Sequence, residues 1–110
     1  MLPKNKRISR RLFPLLRKAK IFKNQLFLLK LTSSPSKESR FAFSVSKKIA
    51  KKAILRNKCR RWGYRTIQPL LPQIKSQIMA QFSFLKVPKD SEEVSENLYA
   101  ILKTSKLLKS

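Results

Sequence analysis

Histidine is absent from all 110 residues, which excludes any catalytic triad or metal site built on imidazole from this chain. A single cysteine, Cys59, excludes an internal disulfide and any cysteine-based zinc cluster. A single glycine, Gly63, leaves no glycine-rich loop to cradle phosphates. Carboxylates are scarce: five Asp and Glu stand against 27 Lys and Arg, a formal charge of +22. So few acids leave little for general acid–base chemistry or for holding metals. No apolar run approaches the roughly 18 residues that a membrane-spanning helix needs. The basic N-terminus lacks the apolar core of a secretory signal. Its arginine-rich, acid-poor character is shared with organelle transit peptides, but its aliphatic and aromatic residues suit a first domain helix better. These absences point away from a stand-alone enzyme and towards a binder of a polyanion.

What is present supports a folded domain. Hydrophobic residues make up 42%, near the globular average and too many for a purely disordered basic tail. The length suggests one domain with one core, spanning residues 1–110, with residues 1–7 as a loose basic arm. The charge is unevenly placed. Residues 1–89 hold 24 basic residues and one acid, Glu38, whereas Asp90, Glu92, Glu93 and Glu96 fall within seven positions. Such one-sided charge repels itself in a compact state, and a polyanion relieves that repulsion. Nucleic acid and an anionic membrane are the two candidates.

Hydrophobic periodicity organises the chain. Ser9 to Lys20 reads as a short helix with Leu12, Leu15, Leu16 and Ala19 at helical spacing. Pro14, tolerated only in a first turn, places its start near Leu12–Pro14. Residues 25–31 read as a buried strand, with one further short strand possible, and residues 32–38 as a turn cluster. Arg40 to Ser46 alternates, with Phe41, Phe43 and Val45 on one face and Ala42, Ser44 and Ser46 on the other. Ala53 to about Gln68 is the strongest helix, with Leu55, Cys59 and Trp62 as its apolar stripe and Pro69 as its end. Residues 76–85 form another strand, with Ile78, Ala80, Phe82 and Phe84 on one side. Asp90 and Glu93 fit a capping-box start for a last helix that buries Val94, Leu98, Ile101 and Leu102. The four clustered acids thus have a structural reason to exist. The order predicts an α+β fold: a small two-layer sandwich with a mostly antiparallel sheet of about four strands and three helices.

Residues 47–65 concentrate the chemistry. They hold nine basic residues and no acid: Lys47, Lys48, Lys51, Lys52, Arg56, Lys58, Arg60, Arg61 and Arg65. Arg56 and Arg60 form one row at an interval of four; Asn57, Arg61 and Arg65 form a second. Both rows are expected to face away from the apolar stripe. Arginine dominates on the helix, and its fork suits bidentate phosphate contacts and stacking on bases. A charge run with interspersed Glu would be a solvated face, but here no acid compensates.

The stretch FAFSVSKKIAKKAILRNKCRR, residues 41–61, resembles the signature of the bacterial ribonuclease P protein component. That family shows a strand ending in S-K-K, a short basic link and a helix with an R-N-x-x-(K/R)-R pattern. Here the pattern is Arg56-Asn57-Lys58-Cys59-Arg60-Arg61. The flanks match in pattern: a basic N-terminal helix with Phe13, a strand at 25–31, and a last strand and helix. The resemblance implies a left-handed βαβ crossover that presents the basic helix, an unusual hand. It implies a protein that pairs with a catalytic RNA, which with Mg²⁺ cuts the 5′ leader from precursor tRNA. The protein itself would bind no cofactor, act in the cytoplasm and need no membrane or obligate protein partner.

Carried over by position, Arg56, Asn57, Arg60 and Arg61 meet the catalytic RNA. Lys47, Lys48 and Lys52 supply nearby phosphate contacts, and Lys58 and Arg65 extend the same basic helix. The leader cleft, between the first helix and the sheet face, takes Phe13, Arg17, Lys30, Ser44 and Ser46. Several positions depart from the family pattern. The link from Ser46 to Arg56 is one residue longer than in some relatives, and Ala50 stands where Gly is common. Arg17 and Lys30 occupy cleft positions that are often aromatic, which shifts leader binding from stacking towards charge. Trp62, Gly63 and Tyr64 interrupt the basic row. Phe13 serves equally well as core. Cys59 reads as a small buried hydrophobe, Trp62 as a core anchor, and Phe27, Phe41, Phe43, Phe82 and Phe84 as sheet core. A structural RNA-binding protein of ribosomal type, with no role in cleavage, is the alternative; it shares the charge but not the motif at 41–61.

Overall fold

Five phenylalanines organise the sheet. Phe27, Phe41, Phe43, Phe82 and Phe84 are buried, and the rings of Phe27, Phe43, Phe82 and Phe84 interlock. Phe43 stacks on Phe82 at 4.9 Å between centroids, and Phe27 tilts against Phe84 at 4.8 Å. Alternation in a strand sends all of them to one face, so the strands that carry them must pair in a single register. The computed structural model describes residues 6–35 and 37–108. Its strands are β1 (Lys20–Lys23), β2 (Phe27–Ser33), β3 (Arg40–Ser44) and β4 (Ile78–Phe84). They form one sheet in the order β1-β2-β4-β3. β1–β2 and β2–β4 are antiparallel, and β3–β4 is parallel, with Phe43 opposite Phe82 and Phe27 opposite Phe84. The parallel pair is joined by a helical crossover, α1 (Ala53–Ile67). The α+β architecture expected from the sequence is therefore present, as a mixed sheet.

α2 (Ser91–Thr104) begins as its sequence dictates. The Asp90 carboxylate accepts from the Glu93 amide at 2.9 Å. The return arm of the capping box lands one residue early, on the Lys89 amide, at 2.8 Å from Glu93 Oε1. Lys86 adds an ion pair to Glu93 at 3.6 Å. Val94, Leu98, Ile101 and Leu102 are all buried in the main core. Beyond the cap at Ser105, Lys106 takes a positive φ of 61° where a glycine is usual. The chain after it stays docked: Leu107 is buried, its carbonyl accepts from the Lys75 amide, and Leu108 bridges Ile74.

Four details depart from the sequence reading. The N-terminal helix (Arg10–Lys18) is 3₁₀ rather than α and starts at Arg10, with Pro14 inside it. Ser9 occupies the cap position but makes no side-chain cap bond. Pro14 lacks the amide an α turn would use and crowds the carbonyl four residues back, which disfavours the α form here. Second, Asn24 shifts the strand expected at 25–31 by two residues: its side-chain oxygen accepts from the Leu26 and Phe27 amides, at 3.0 and 2.8 Å, so pairing with β4 begins at Phe27 and runs to Ser33. Third, Pro69 does not stop the chain's helical course; a 3₁₀ segment (Gln68–Gln73) follows α1 directly. Fourth, the end of the expected basic arm is docked on the sheet. Residues 1–5 lie outside those described, whereas Arg7 bridges Phe41 and the Ile8 amide bonds the Phe41 carbonyl at 3.2 Å.

The buried line of α1 is also not the expected one. It runs through Cys59, Gly63, Tyr64 and Ile67, while Leu55 and Trp62 are only half-buried. Gly63 explains the rotation. A Cβ there would lie 2.5 Å from Phe43 Cδ1 and 2.7 Å from Cε1, so only a glycine lets the ring rest on the helix backbone. Tyr64 then crosses Phe43 edge-on at 5.0 Å, and its hydroxyl accepts from the Phe43 amide at 3.3 Å. Gly63→Ala gains about 1 kcal/mol of helix propensity. Against that, the Phe43 ring is held by Phe82 and cannot yield, so overpacking costs about 1–3 kcal/mol. Urea unfolding should show a net loss of stability for Gly63→Ala, partly recovered in the double variant with Phe43→Leu.

Candidate nucleic-acid interface

The rotation of α1 sorts its cations into two classes. Lys58, Arg61 and Arg65 are exposed and, with Asn57, form the outermost ridge of the helix. Arg56 and Arg60 lie nearer the buried side and are half-covered. Arg60 donates to the Asn57 side-chain oxygen. Arg56 Nη1 donates to the Ala50 and Lys51 carbonyls, at 2.9 and 2.8 Å. Lys58 lies over the Trp62 ring, 5.0 Å from its centroid. Trp62 thus packs its inner side against the main core, as expected, and offers its half-covered ring to a cation. Ile54, 80% exposed, shares the outer ridge with these cations.

The link before α1 is a folded turn. The Ser46 carbonyl accepts from the Ile49 and Ala50 amides at 3.1 and 3.0 Å, and Ala50 is buried. Lys47, Lys48, Lys51 and Lys52 are exposed around it. The first turn of α1 has no acid and no side-chain cap, so its free amides and helix dipole add to the positive field. α2, by contrast, carries Glu92, Glu93 and the Asp90 cap at the same point.

A second surface lies on the face of the sheet opposite the phenylalanines. One end is closed by a small cluster, Ile8, Leu16, Ala42 and Met79, under the N-terminal 3₁₀ helix. The rest is half-exposed or open and mixes polar groups with Leu28 and Ile21. Register sets Lys30 beside Gln81, and Leu28 beside Ser83, which neighbours Ser44. The Ser44 and Ser83 hydroxyls lie 3.0 Å apart. Phe13 belongs to neither core and is 37% exposed. In a helix of three residues per turn it sits one turn from Leu16 and on the same side. Of the expected cleft residues, Lys30 and Ser44 therefore share the sheet face and Phe13 flanks it. Arg17 is exposed, four residues further along the 3₁₀ helix from Phe13. Ser46 is committed elsewhere, its hydroxyl 3.3 Å from the Ile49 amide. Gln81 and Ser83 join this face unannounced. The alternation of β4 marks their side, but only the strand register brings them next to Lys30 and Ser44.

A family model described as Ribonuclease P matches residues 2–106. The chain belongs to the ribonuclease P protein family. Solved structures agree on the fold. A Staphylococcus aureus RNase P protein mutant with defective mRNA degradation activity superposes with a TM-score of 0.86, at 22% identity, over 96% of this chain and 92% of that one. RNase P protein from Thermotoga maritima gives 0.77 at 24% identity, over 89% and 96%. No curated protein gives a significant sequence match. Family membership makes this chain a protein subunit of ribonuclease P, an RNA-associated enzyme of tRNA 5′ processing, and disfavours the ribosomal-type alternative. No helix among the described residues is long and apolar enough to cross a membrane.

Between the two surfaces Cys59 is fully buried. Burial raises its thiol pKa, against the smaller lowering pull of Lys58 and Arg60. A raised folded-state pKa favours the protonated, folded form; that contribution is intact below the unfolded thiol's pKa and fades as pH rises through the folded value. An alkylating reagent at pH 8 should therefore leave native Cys59 unmodified while labelling it rapidly in denaturant, as read by mass spectrometry.

Proposed function

We propose that this ribonuclease P protein holds two RNAs at once. The outer ridge of α1 and the turn before it bind the catalytic RNA, and the polar sheet face beside Phe13 binds the single-stranded 5′ leader of precursor tRNA. One observation carries this reading. Lys47, Lys48, Lys51, Lys52, Lys58, Arg61 and Arg65 are all exposed on one continuous stretch that contains no carboxylate. Packed phosphates are the natural complement of such a surface. The leader face differs in kind. Its hydroxyls, Gln81 amide and Lys30 can bond bases and phosphates of an extended strand, while Phe13 offers a ring for stacking.

The phosphodiester cleavage itself belongs to the RNA. The chain's acids support this, because Asp90 and Glu93 are spent on the amides that open α2. The protein's contribution is electrostatic. It offsets the repulsion between catalytic RNA and substrate, and by fixing the RNA it strengthens the binding of Mg²⁺ to RNA sites. The setting proposed is cytoplasmic.

Added to the catalytic RNA and precursor tRNA at low Mg²⁺, the protein should stimulate leader removal; no stimulation would defeat the proposal. With 6–10 phosphate contacts, affinity should fall by about 10³–10⁵ between 50 and 200 mM salt. Arg61→Ala should weaken RNA binding, lower the magnitude of the log–log salt slope by about 1 and leave the melting temperature unchanged, since the residue is exposed. Phe13→Ala should cost about 1–3 kcal/mol in binding precursor but nothing in binding mature tRNA, in a titration comparing the two.

A further inference from the structure

We propose that Arg56 is a positioning residue, which shapes the Lys47–Lys52 turn for the catalytic RNA by gripping its backbone and does not itself bind phosphate. This rests on the reading that the turn and α1 face that RNA. Arg56 heads the arginine motif, and its charge and spacing alone would place it among the phosphate contacts. Its geometry says otherwise. A single nitrogen, Nη1, holds both the Ala50 and the Lys51 carbonyl, at 2.9 and 2.8 Å. Its side chain therefore folds back over the turn instead of projecting with Lys58 and Arg61.

The turn needs such a brace. Lys47, Lys48, Lys51 and Lys52 repel one another, and the link carries no acid to hold them. Among the described residues, the Ser46 carbonyl and hydroxyl close its first half. The second half runs into a helix whose first turn has no side-chain cap. There, two carbonyl dipoles aimed at a guanidinium replace the missing carboxylate. A charge-assisted bond of this kind is stronger than a neutral one. One cation thereby orders four others, and the RNA meets lysines already in place rather than having to order them on binding.

Two measurements test this. In the free protein, Arg56→Ala should speed amide exchange of Ile49 and Ala50 by about tenfold or more, with Arg61→Ala as an unaffected control. Unchanged exchange would overturn the bracing role. In affinity titrations with the catalytic RNA, Arg56→Ala and Lys48→Ala should each weaken binding. The double variant should be clearly tighter than the product of the two losses, by more than the roughly twofold scatter of independent sites. Losses that multiply independently would overturn the proposal in favour of a direct phosphate contact. Arg56→Lys keeps the charge but not the planar fork and should also bind less tightly; wild-type affinity would reduce Arg56 to a point charge. If exchange responds as expected but neither Lys48→Ala nor Arg61→Ala weakens RNA binding, the brace stands and it is the RNA-facing reading of this surface that fails, and the proposal with it.

Discussion

The ring of Phe43 resting on the bare backbone of Gly63 decides where every cation of α1 points. Without a side chain at 63 the helix can lie directly on β3, and the contact fixes both its distance and its rotation. Tyr64, Cys59 and Ile67 then fall inward, and Lys58, Arg61 and Arg65 fall outward. The helix costs propensity at Gly63 and gains orientation. For a surface that works by charge, orientation is the quantity that matters, because repelling cations supply no cohesion of their own.

The chain solves its charge problem by segregation. Four of its five acids gather at the start of α2, where Asp90 and Glu93 satisfy amides and the charge complements the helix dipole. On α1 positive charge is held by groups that are not acids: Arg56 by carbonyls, Lys58 by an indole ring, Arg60 by an amide oxygen. None of these neutralises the charge they hold. The surface therefore stays strongly cationic while its side chains acquire fixed places, which is the combination an RNA-binding face requires.

Much of this was legible beforehand, and what was not has a physical cause. Alternation at Phe41–Val45 and in β4 gave the faces of the sheet, and the capping residues of α2 gave its start to within a residue. Periodicity favours Leu55 and Trp62 because they are the larger apolar residues, whereas Gly63 registers only as a defect until its neighbour is known. Pro14 suggested a helix boundary but imposed a change of helix type. The cationic helix stood out in composition, but not that Arg56 turns back, since hydrogen bonds to carbonyls leave no trace in residue spacing. Gln81 and Ser83 could not be placed because register between β4 and β3 depends on a crossover of more than thirty residues, Ser44 to Ile78.

Strand order carries one more consequence, for how the chain is made. β4 is central, flanked by β2 and β3, yet it is the last strand in sequence. Until it leaves the ribosome, β2 and β3 have no common partner and the phenylalanines no shared face. By residue 77 the nascent chain already carries 22 basic residues and one acid. Before β4 is added, that charge sits on a chain whose sheet is not closed, and closure of the sheet is what gives the charge fixed places. Synthesis of β4 thus marks the moment at which unplaced charge gives way to a shaped surface.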